Sequence, residues 1–161
     1  MMASPFTFYR GSAIIQAHDL AGTPDSGLQL QICGDAHLSN FGGFATPERN
    51  LLFDLNDFDE THPGPWEWDL KRLTASLTVA ARHLGHGKNK AREAAYEAAV
   101  SYQENMAKYA LMEPLDIWYE RITFDRLIEI TTTDTGRKLV KAAIEKAGRR
   151  TAAELLPKLG V

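Results

Sequence analysis

Apolar positions follow two different periods along the chain, and only short segments follow the period of a strand. LQLQIC, residues 28–33, alternates apolar and polar positions and predicts a β-strand. LLFDL, residues 51–55, predicts a second strand, and FGGFA, residues 41–45, predicts a weaker partner before a turn at residues 47–50. These segments indicate a small hairpin directly after the polar stretch GDAHLSN, residues 34–40.

The helical period dominates the rest of the chain. PGP, residues 63–65, predicts a break in the chain, after which apolar residues recur at every third or fourth position. The predicted fold is therefore α+β and mostly helical, with one domain over residues 1–161 and a small sheet that carries the polar motif. The predicted helices cover residues 7–21, 70–84, 88–112, 138–147 and 150–159, and residues 115–130, ambiguous between helix and strand, are assigned to helical pieces.

Composition bounds the class of protein. Of the 161 residues, 44% are hydrophobic and 24% are charged, which is typical of a globular domain. The single cysteine, Cys33, excludes an internal disulfide and fits a reducing compartment. The sequence shows no signal peptide and no run of about 18 apolar residues that could span a membrane. We therefore expect a cytoplasmic protein without a membrane partner.

The net charge of −3 is unevenly distributed. Residues 1–70 contain ten carboxylates against Arg10 and Arg49, a balance of −8. Residues 134–161 contain seven lysines and arginines against three acids, a balance of +4. Proteins that bind nucleic acids present basic surfaces. Because the acidic half carries the polar motif, we expect a divalent cation there and no nucleic-acid partner.

ICGDAHLSNFGGF, residues 32–44, concentrates polar groups among apolar and glycine neighbours. Asp35 and Asn40 are five residues apart in a loop that leaves a predicted strand, and Asp57 follows the next strong strand. Phosphoryl transfer requires a carboxylate that orients and deprotonates the acceptor hydroxyl, and oxygen ligands that hold magnesium on the phosphates. Magnesium accepts a few carboxylate or amide oxygens together with water and phosphate. The spacing therefore favours a phosphoryl-transfer loop.

Three segments in order, CGDAHLSNFGGF, LLFDLNDFDET and WEWDLKRL, carry a family resemblance. They resemble the catalytic half, or C-lobe, of the aminoglycoside-phosphotransferase and protein-kinase-like superfamily. The chain is more similar still to a bacterial family of unknown function that shares almost this run, including the opening SPFTFYRG. The resemblance is strongest over residues 30–77. It implies an enzyme that transfers phosphate from ATP, with Mg²⁺ as cofactor, to a hydroxyl group of a small molecule or a protein.

Residue roles follow from this resemblance by position. Asp35 matches the catalytic base, and His37 matches the histidine within the phosphotransferase loop. Asn40 and Asp57 match metal ligands, of which Asp57 is the aspartate that follows the hairpin. Asp69, which opens the helix in WDLKRL, matches an acid that supports the catalytic loop from below.

Two departures from the family pattern matter. Cys33 stands where the phosphotransferases usually have a histidine, two residues before the catalytic aspartate. No glycine-rich strand and no lysine-bearing strand is found in the sequence, and GHGK, residues 85–88, lacks the rest of a phosphate-binding loop. In the family, these nucleotide-binding elements follow the catalytic motifs, about where the chain stops at Val161. We therefore expect a truncated member with an incomplete ATP pocket, inactive alone, and prone to self-association or to pairing with the missing lobe.

Some alternatives stay open. A non-catalytic kinase-like remnant or binding module would explain the missing glycine-rich strand. A metallophosphoesterase would use GDAH as a D-x-H motif, but it needs a downstream G-N-H motif that the sequence does not contain. Asp59 provides either a second metal contact or a solvated rim, and Asp69 is equally suited to cap its helix.

Overall fold

The computed structural model describes residues 4–48 and 50–148 of the chain. The fold is α+β and mostly helical, which confirms the predicted class. The predicted helix over residues 150–159 lies outside the described residues. In chain order the elements are α1 (Pro5–Arg10), α2 (Ala13–Leu20), β1 (Gln29–Ile32), a 3₁₀ turn (Leu38–Asn40), β2 (Phe41–Ala45), β3 (Leu51–Leu55), β4 (His62–Pro65), α3 (Glu67–His83), α4 (Lys88–Tyr109), α5 (Pro114–Tyr119), α6 (Phe124–Ile130) and α7 (Asp134–Gly148).

The chain divides into two compact units. The first unit comprises Met1–Phe41 and Leu55–Tyr119, and the second comprises Gly42–Asp54 and Glu120–Val161. Every residue to which the sequence analysis gives a role lies in the first unit. The single domain over residues 1–161 stays a prediction.

The first unit contains a two-stranded antiparallel sheet of β1 and β4, in which Ile32 is opposite His62. The predicted chain break at residues 63–65 is therefore wrong, because all three residues lie in β4. Proline lacks a backbone N–H and is tolerated in a strand whose outer edge is unpaired. Pro63 and Pro65 alternate along β4, so both missing donors fall on the same edge of the strand, and β1 is the only described neighbour of β4.

The predicted helix over residues 7–21 is instead two helices, α1 and α2. Ser4 caps α1 through its Oγ, which accepts the Thr7 N–H at 3.0 Å. After α1, Ser12 donates its N–H and its hydroxyl to the Tyr9 carbonyl oxygen, at 3.2 and 2.9 Å. These local hydrogen bonds compete with continuation of the helix, and the apolar period does not reveal them.

α3 is the central element of the first unit, because α1, α2, α4 and the 3₁₀ turn all pack against it. Its two buried residues are both polar, Arg72 and Ser76. The ambiguous residues 115–130 form α5, in the first unit, and α6, in the second. Among the described helices, none is both long enough and apolar enough to cross a lipid bilayer.

The second unit contains the predicted hairpin of β2 and β3. A Cβ atom at Gly43 would collide with the ring of Phe124, so this glycine permits close packing of α6 on the hairpin. The Phe53 N–H donates to the Ile122 carbonyl oxygen at 2.8 Å. Among the described residues of this unit, Phe124 is the buried apolar one, and α7 packs against α6.

Candidate functional site

The loop that leaves β1, residues 33–40, is the most buried part of the first unit; we call it the polar loop. Asp35, His37 and Asn40 are 7%, 3% and 8% exposed. The loop begins at Gly34, whose φ of +86° favours glycine, and a Cβ atom there would collide with the Glu60 carbonyl oxygen. Since buried polar groups require partners, the hydrogen bonds of this loop define the site.

Asp69 supports the start of the polar loop. Its carboxylate accepts the Cys33 N–H at 2.7 Å and the Gly34 N–H at 3.0 Å. Asp69 lies in the first turn of α3, whose N-cap residue is Trp66, so its side chain serves the loop and is not the N-cap. Because one side chain of α3 accepts two consecutive backbone N–H groups, the start of the loop is fixed to α3.

Arg72 is a member of the site that the sequence analysis missed. It is 2% exposed, and its Nε donates to Asp35 Oδ1 at 2.7 Å. Its Nη1 donates to Gln16 Oε1 at 2.7 Å. Its Nη2 donates to the Tyr9 carbonyl oxygen at 2.6 Å, with the Arg10 carbonyl oxygen at 3.4 Å. The signal was present in WDLKRL, because a residue three positions after Asp69 shares its helical face.

His37 faces Asp35 from the other side. Its Nδ1 accepts the Ser39 N–H at 3.1 Å, so the neutral ring carries its proton on Nε2. Nε2 lies 3.7 Å from Asp35 Oδ2. Burial lowers the pKa of His37, an effect that the nearby Asp35 carboxylate opposes and that Arg72 and Arg10 reinforce. The ring is therefore a neutral group that presents an N–H towards the second oxygen of Asp35.

Asn40 closes the polar loop. Its Nδ2 donates to the Asp35 carbonyl oxygen at 2.8 Å, across the five-residue spacing that the sequence shows. The Asn40 carbonyl oxygen accepts the Asn56 N–H at 2.9 Å. At the 3₁₀ turn, the Leu38 N–H donates to Ser76 Oγ at 2.9 Å. The structure thus brings Asp35, His37 and Asn40 together, and it places the residue before Asp57 beside Asn40.

Residues 56–60, which we call the acidic loop, lie next to the polar loop but are more exposed. The Cys33 thiol donates to the Asp57 carbonyl oxygen at 3.2 Å, and burial raises the pKa of this thiol, which keeps it protonated. Asp57 is half-buried, and its Oδ1 accepts the Asp59 N–H at 3.3 Å. The Asp59 side chain is exposed. Backbone contacts therefore tie Asp57 to the polar loop, while Asp59 lies on the rim.

The donor groups for a cation are few. Within residues 4–48 and 50–148, no three side chains of histidine, cysteine, aspartate or glutamate converge as a metal site. Magnesium, however, usually retains several waters and takes only one or two carboxylates besides phosphate oxygens. An amide oxygen from Asn40 and a carboxylate from Asp57 match this donor chemistry, with Asp59 as a further carboxylate.

A cavity of about 330 Å³ in the first unit borders the polar loop. Its wall is mostly aliphatic and aromatic, and the rings of Trp66 and Tyr102 stack there with centroids 5.4 Å apart. Asp69 contributes a carboxylate, which is already bound to the loop. None of the described residues that line the cavity is basic, so they do not supply the cationic groups that bind phosphate.

A family model described as "Uncharacterized protein conserved in bacteria (DUF2252)" matches residues 1–160, and the chain therefore belongs to this bacterial family. No curated protein and no solved structure matches the chain significantly.

Proposed function

We propose, from the premise that the chain is a member of the DUF2252 family, that it carries the catalytic half of an ATP- and Mg²⁺-dependent phosphotransferase of kinase-like fold. The observation that carries this proposal is the support of the polar loop by Asp69. Two consecutive N–H groups, those of Cys33 and Gly34, donate to its carboxylate. The superfamily resemblance implies an acid with this function at this position.

Asp35 is the proposed base. In the transfer step, the acceptor hydroxyl gives its proton to Asp35 Oδ2 while the acceptor oxygen forms a bond to the γ-phosphorus of ATP. The bond from this phosphorus to the bridging oxygen breaks, and its electron pair leaves with ADP. Arg72 occupies Oδ1, so Oδ2 is the oxygen that is left for the acceptor. His37 Nε2, 3.7 Å from Oδ2, borders the same position.

Asn40 and Asp57 are the proposed magnesium ligands, and Asp59 is the proposed additional contact. Because Asn40 Nδ2 is bound to the Asp35 carbonyl oxygen, the amide oxygen is the atom that Asn40 offers to a cation. Asp57 Oδ1 already accepts the Asp59 N–H, which leaves Oδ2 for the same purpose. When bound, magnesium neutralises the charge of the phosphates and of the leaving group.

ATP binding by this chain is expected to be weak. Phosphotransferases of this kind cover the phosphates with a glycine-rich loop and neutralise them with a lysine on a strand. None of the four described strands contains a lysine. The acceptor in this proposal is a hydroxyl of a small molecule or a protein, nucleic acid is not a partner, and the site of action is cytoplasmic.

Metal binding and phosphate transfer test the proposal separately. Calorimetric titration with Mn²⁺ or Mg²⁺ should show weak binding that Asp57→Ala abolishes and that Asp19→Ala, an exposed aspartate on α2, retains. Turnover by the chain alone is expected to be very low, so transfer is measured at a high concentration of radiolabelled ATP, with a bacterial extract as a mixture of acceptors. The label transfer by the wild type should then be lost in Asp35→Asn. Equal metal binding by the wild type and Asp57→Ala, or transfer that survives Asp35→Asn, would contradict the proposal.

A second candidate is a non-catalytic binding module. The observation that favours it is the buried ion pair between Asp35 and Arg72, since one oxygen of the Asp35 carboxylate is already occupied by the guanidinium. This candidate predicts that the chain binds Mn²⁺ or a nucleotide without any label transfer, under the same assay and with the fold intact by circular dichroism. A label transfer that depends on Asp35 would exclude it.

A further inference from the structure

We infer that Arg72 is a positioning residue for Asp35, and that α1 and α2 hold its guanidinium so that Oδ2 of Asp35 faces the acceptor. The inference rests on the proposed phosphotransferase function for its catalytic consequence, while its geometric part is independent of that function. It gives a physical role to the N-terminal segment SPFTFYRG, which contributes Tyr9 and Arg10 to the contacts of Arg72.

The guanidinium is fixed along three directions. Nε is bound to Asp35, Nη1 to Gln16, and Nη2 to carbonyl oxygens at the end of α1. A guanidinium is planar, so three hydrogen bonds in different directions determine both its position and its orientation. A lysine at position 72 would supply the charge, but its point-like ammonium cannot reproduce this planar set of donors.

The groups that hold Arg72 are themselves fixed. Gln16 Oε1 accepts both Arg72 Nη1 and the Tyr9 hydroxyl, each at 2.7 Å. The ring of Tyr9 lies under the guanidinium, with 4.2 Å between its centroid and the Arg72 Cζ. Cation–π contact of this kind stabilises a desolvated arginine. Gln16 does not touch Asp35 in these contacts, so it acts on Asp35 through Arg72.

The contact with Arg72 makes the two carboxylate oxygens of Asp35 different from each other. Arg72 binds Oδ1, and Oδ2 is the oxygen on the side of His37. Without the Nε contact, a carboxylate can rotate about its own bond and exchange the two oxygens. Phosphoryl transfer depends mostly on positioning, since the loose transition state requires little proton abstraction. A carboxylate that is held in one orientation therefore suits this reaction better than a mobile carboxylate.

A purely structural ion pair is the competing explanation, and it predicts a different result. A structural pair would affect the fold when it is altered, and any loss of activity would follow the loss of folded protein. A positioning residue lowers turnover in a folded protein. A substitution at Gln16 distinguishes a structural ion pair from a positioning role. Gln16 is half-buried, and its replacement leaves the Asp35–Arg72 pair chemically intact.

The experiment measures turnover and geometry in the same variants. Gln16→Ala and Arg72→Lys should lower kcat for phosphate transfer by about 10- to 100-fold, with KM for ATP and Mn²⁺ affinity unchanged. Gln16→Glu, which retains an acceptor oxygen for Nη1, should restore most of kcat. Gln103→Ala, an exposed position on α4, is the matched control and should equal the wild type. Circular dichroism establishes that each variant is folded.

Crystal structures of the variants, or the carboxyl carbon chemical shift of Asp35, give the geometric result. In Gln16→Ala and Arg72→Lys, the Asp35 carboxylate should adopt more than one orientation, whereas Gln16→Glu should keep the wild-type orientation. An unchanged carboxylate in folded Gln16→Ala and Arg72→Lys would overturn the inference, and so would an unchanged kcat in both. If the wild type transfers no phosphate even at a high ATP concentration, the proposed function fails, and the carboxylate orientation still decides whether Arg72 positions Asp35.

Discussion

The polar loop and the acidic loop are neighbours in the first unit, but they hold their carboxylates in opposite ways. Asp35 in the polar loop is 7% exposed and bound to a buried arginine, and three N–H groups of this loop donate to side chains of α3, Asp69 and Ser76. In the acidic loop, Asp59 and Glu60 are exposed, and the Asp57 carboxylate accepts an N–H from within the same loop.

The difference suggests a division of tasks between the two loops. A group that must hold one orientation before a substrate arrives needs partners within the protein, which the polar loop has. Groups that bind a hydrated cation can remain in solvent, because the cation itself brings them together at little cost in desolvation. The comparison therefore predicts large effects on stability from the contacts of the polar loop and small effects from the acidic loop.

The largest expected effect is the loss of Asp69. Asp69→Ala removes the acceptor of two backbone N–H groups, and each unsatisfied donor costs about 1 to 3 kcal/mol, so we expect a loss of about 3 kcal/mol in the free energy of unfolding. Asp59→Ala in the acidic loop should change it by less than about 0.5 kcal/mol. Urea unfolding of both variants measures the contrast. Comparable losses in the two variants would show that the two loops are not held differently.

The junction between the two loops provides an effect of intermediate size. Gly34→Ala places a Cβ atom against the Glu60 carbonyl oxygen and keeps a residue at φ +86°. Gly27 is the matched control, since its φ is +76° and nothing lies within 4 Å of the added Cβ. Gly27→Ala should cost about 1 kcal/mol for the left-handed conformation, and Gly34→Ala at least about 1 kcal/mol more. Equal losses of stability in Gly34→Ala and Gly27→Ala would mean that the acidic loop shifts away from the added Cβ atom without an energetic cost.

The fold is predictable from the sequence wherever one period dominates. The strands LQLQIC and LLFDL and the helices over residues 70–84 and 88–112 carry clear patterns, and the structure contains an element at each. β4 is not predicted because Pro63 and Pro65 are unfavourable in most strands, although a strand with an unpaired outer edge tolerates them. The break between α1 and α2 is hidden because it depends on local hydrogen bonds of Ser12.

The candidate site is only partly predictable. The spacing of Asp35 and Asn40 corresponds to a hydrogen bond that closes the polar loop. Both partners of this bond lie within the motif, so the local sequence is enough to predict that the two residues lie close together. The contact of Asp69 with the loop spans 36 residues and was inferred only through the family resemblance. Arg72 shares the helical face of Asp69, but this spacing does not reveal that the arginine is buried, because a charged residue on a helix is normally solvated. Its partners come from α1 and α2, at a separation that no local pattern encodes.

The smallest expected effect is the pH dependence that His37 contributes, and it concerns the polar loop alone. Burial lowers the pKa of His37 in the folded protein below its ordinary value of 6.5. As the pH falls through 6.5, His37 binds a proton in the unfolded chain but remains neutral in the folded chain. The free energy of unfolding therefore decreases. The decrease ends once the pH passes the lowered pKa of the folded state, and above the ordinary value the contribution of His37 is constant and at its maximum.

Urea unfolding from pH 8 down to pH 5, in steps of about half a unit, measures this dependence across the window in which a histidine titrates. The wild type should lose stability on acidification more steeply than His37→Gln, which keeps a neutral polar side chain at the site and cannot take up the proton. His83→Gln, which removes an exposed histidine at the end of α3, should retain the wild-type slope and is the matched control. If the free energy of unfolding depends on pH equally in the wild type and in His37→Gln, His37 is protonated in the folded protein as easily as in the unfolded chain. Burial in the polar loop would then not keep the His37 ring neutral.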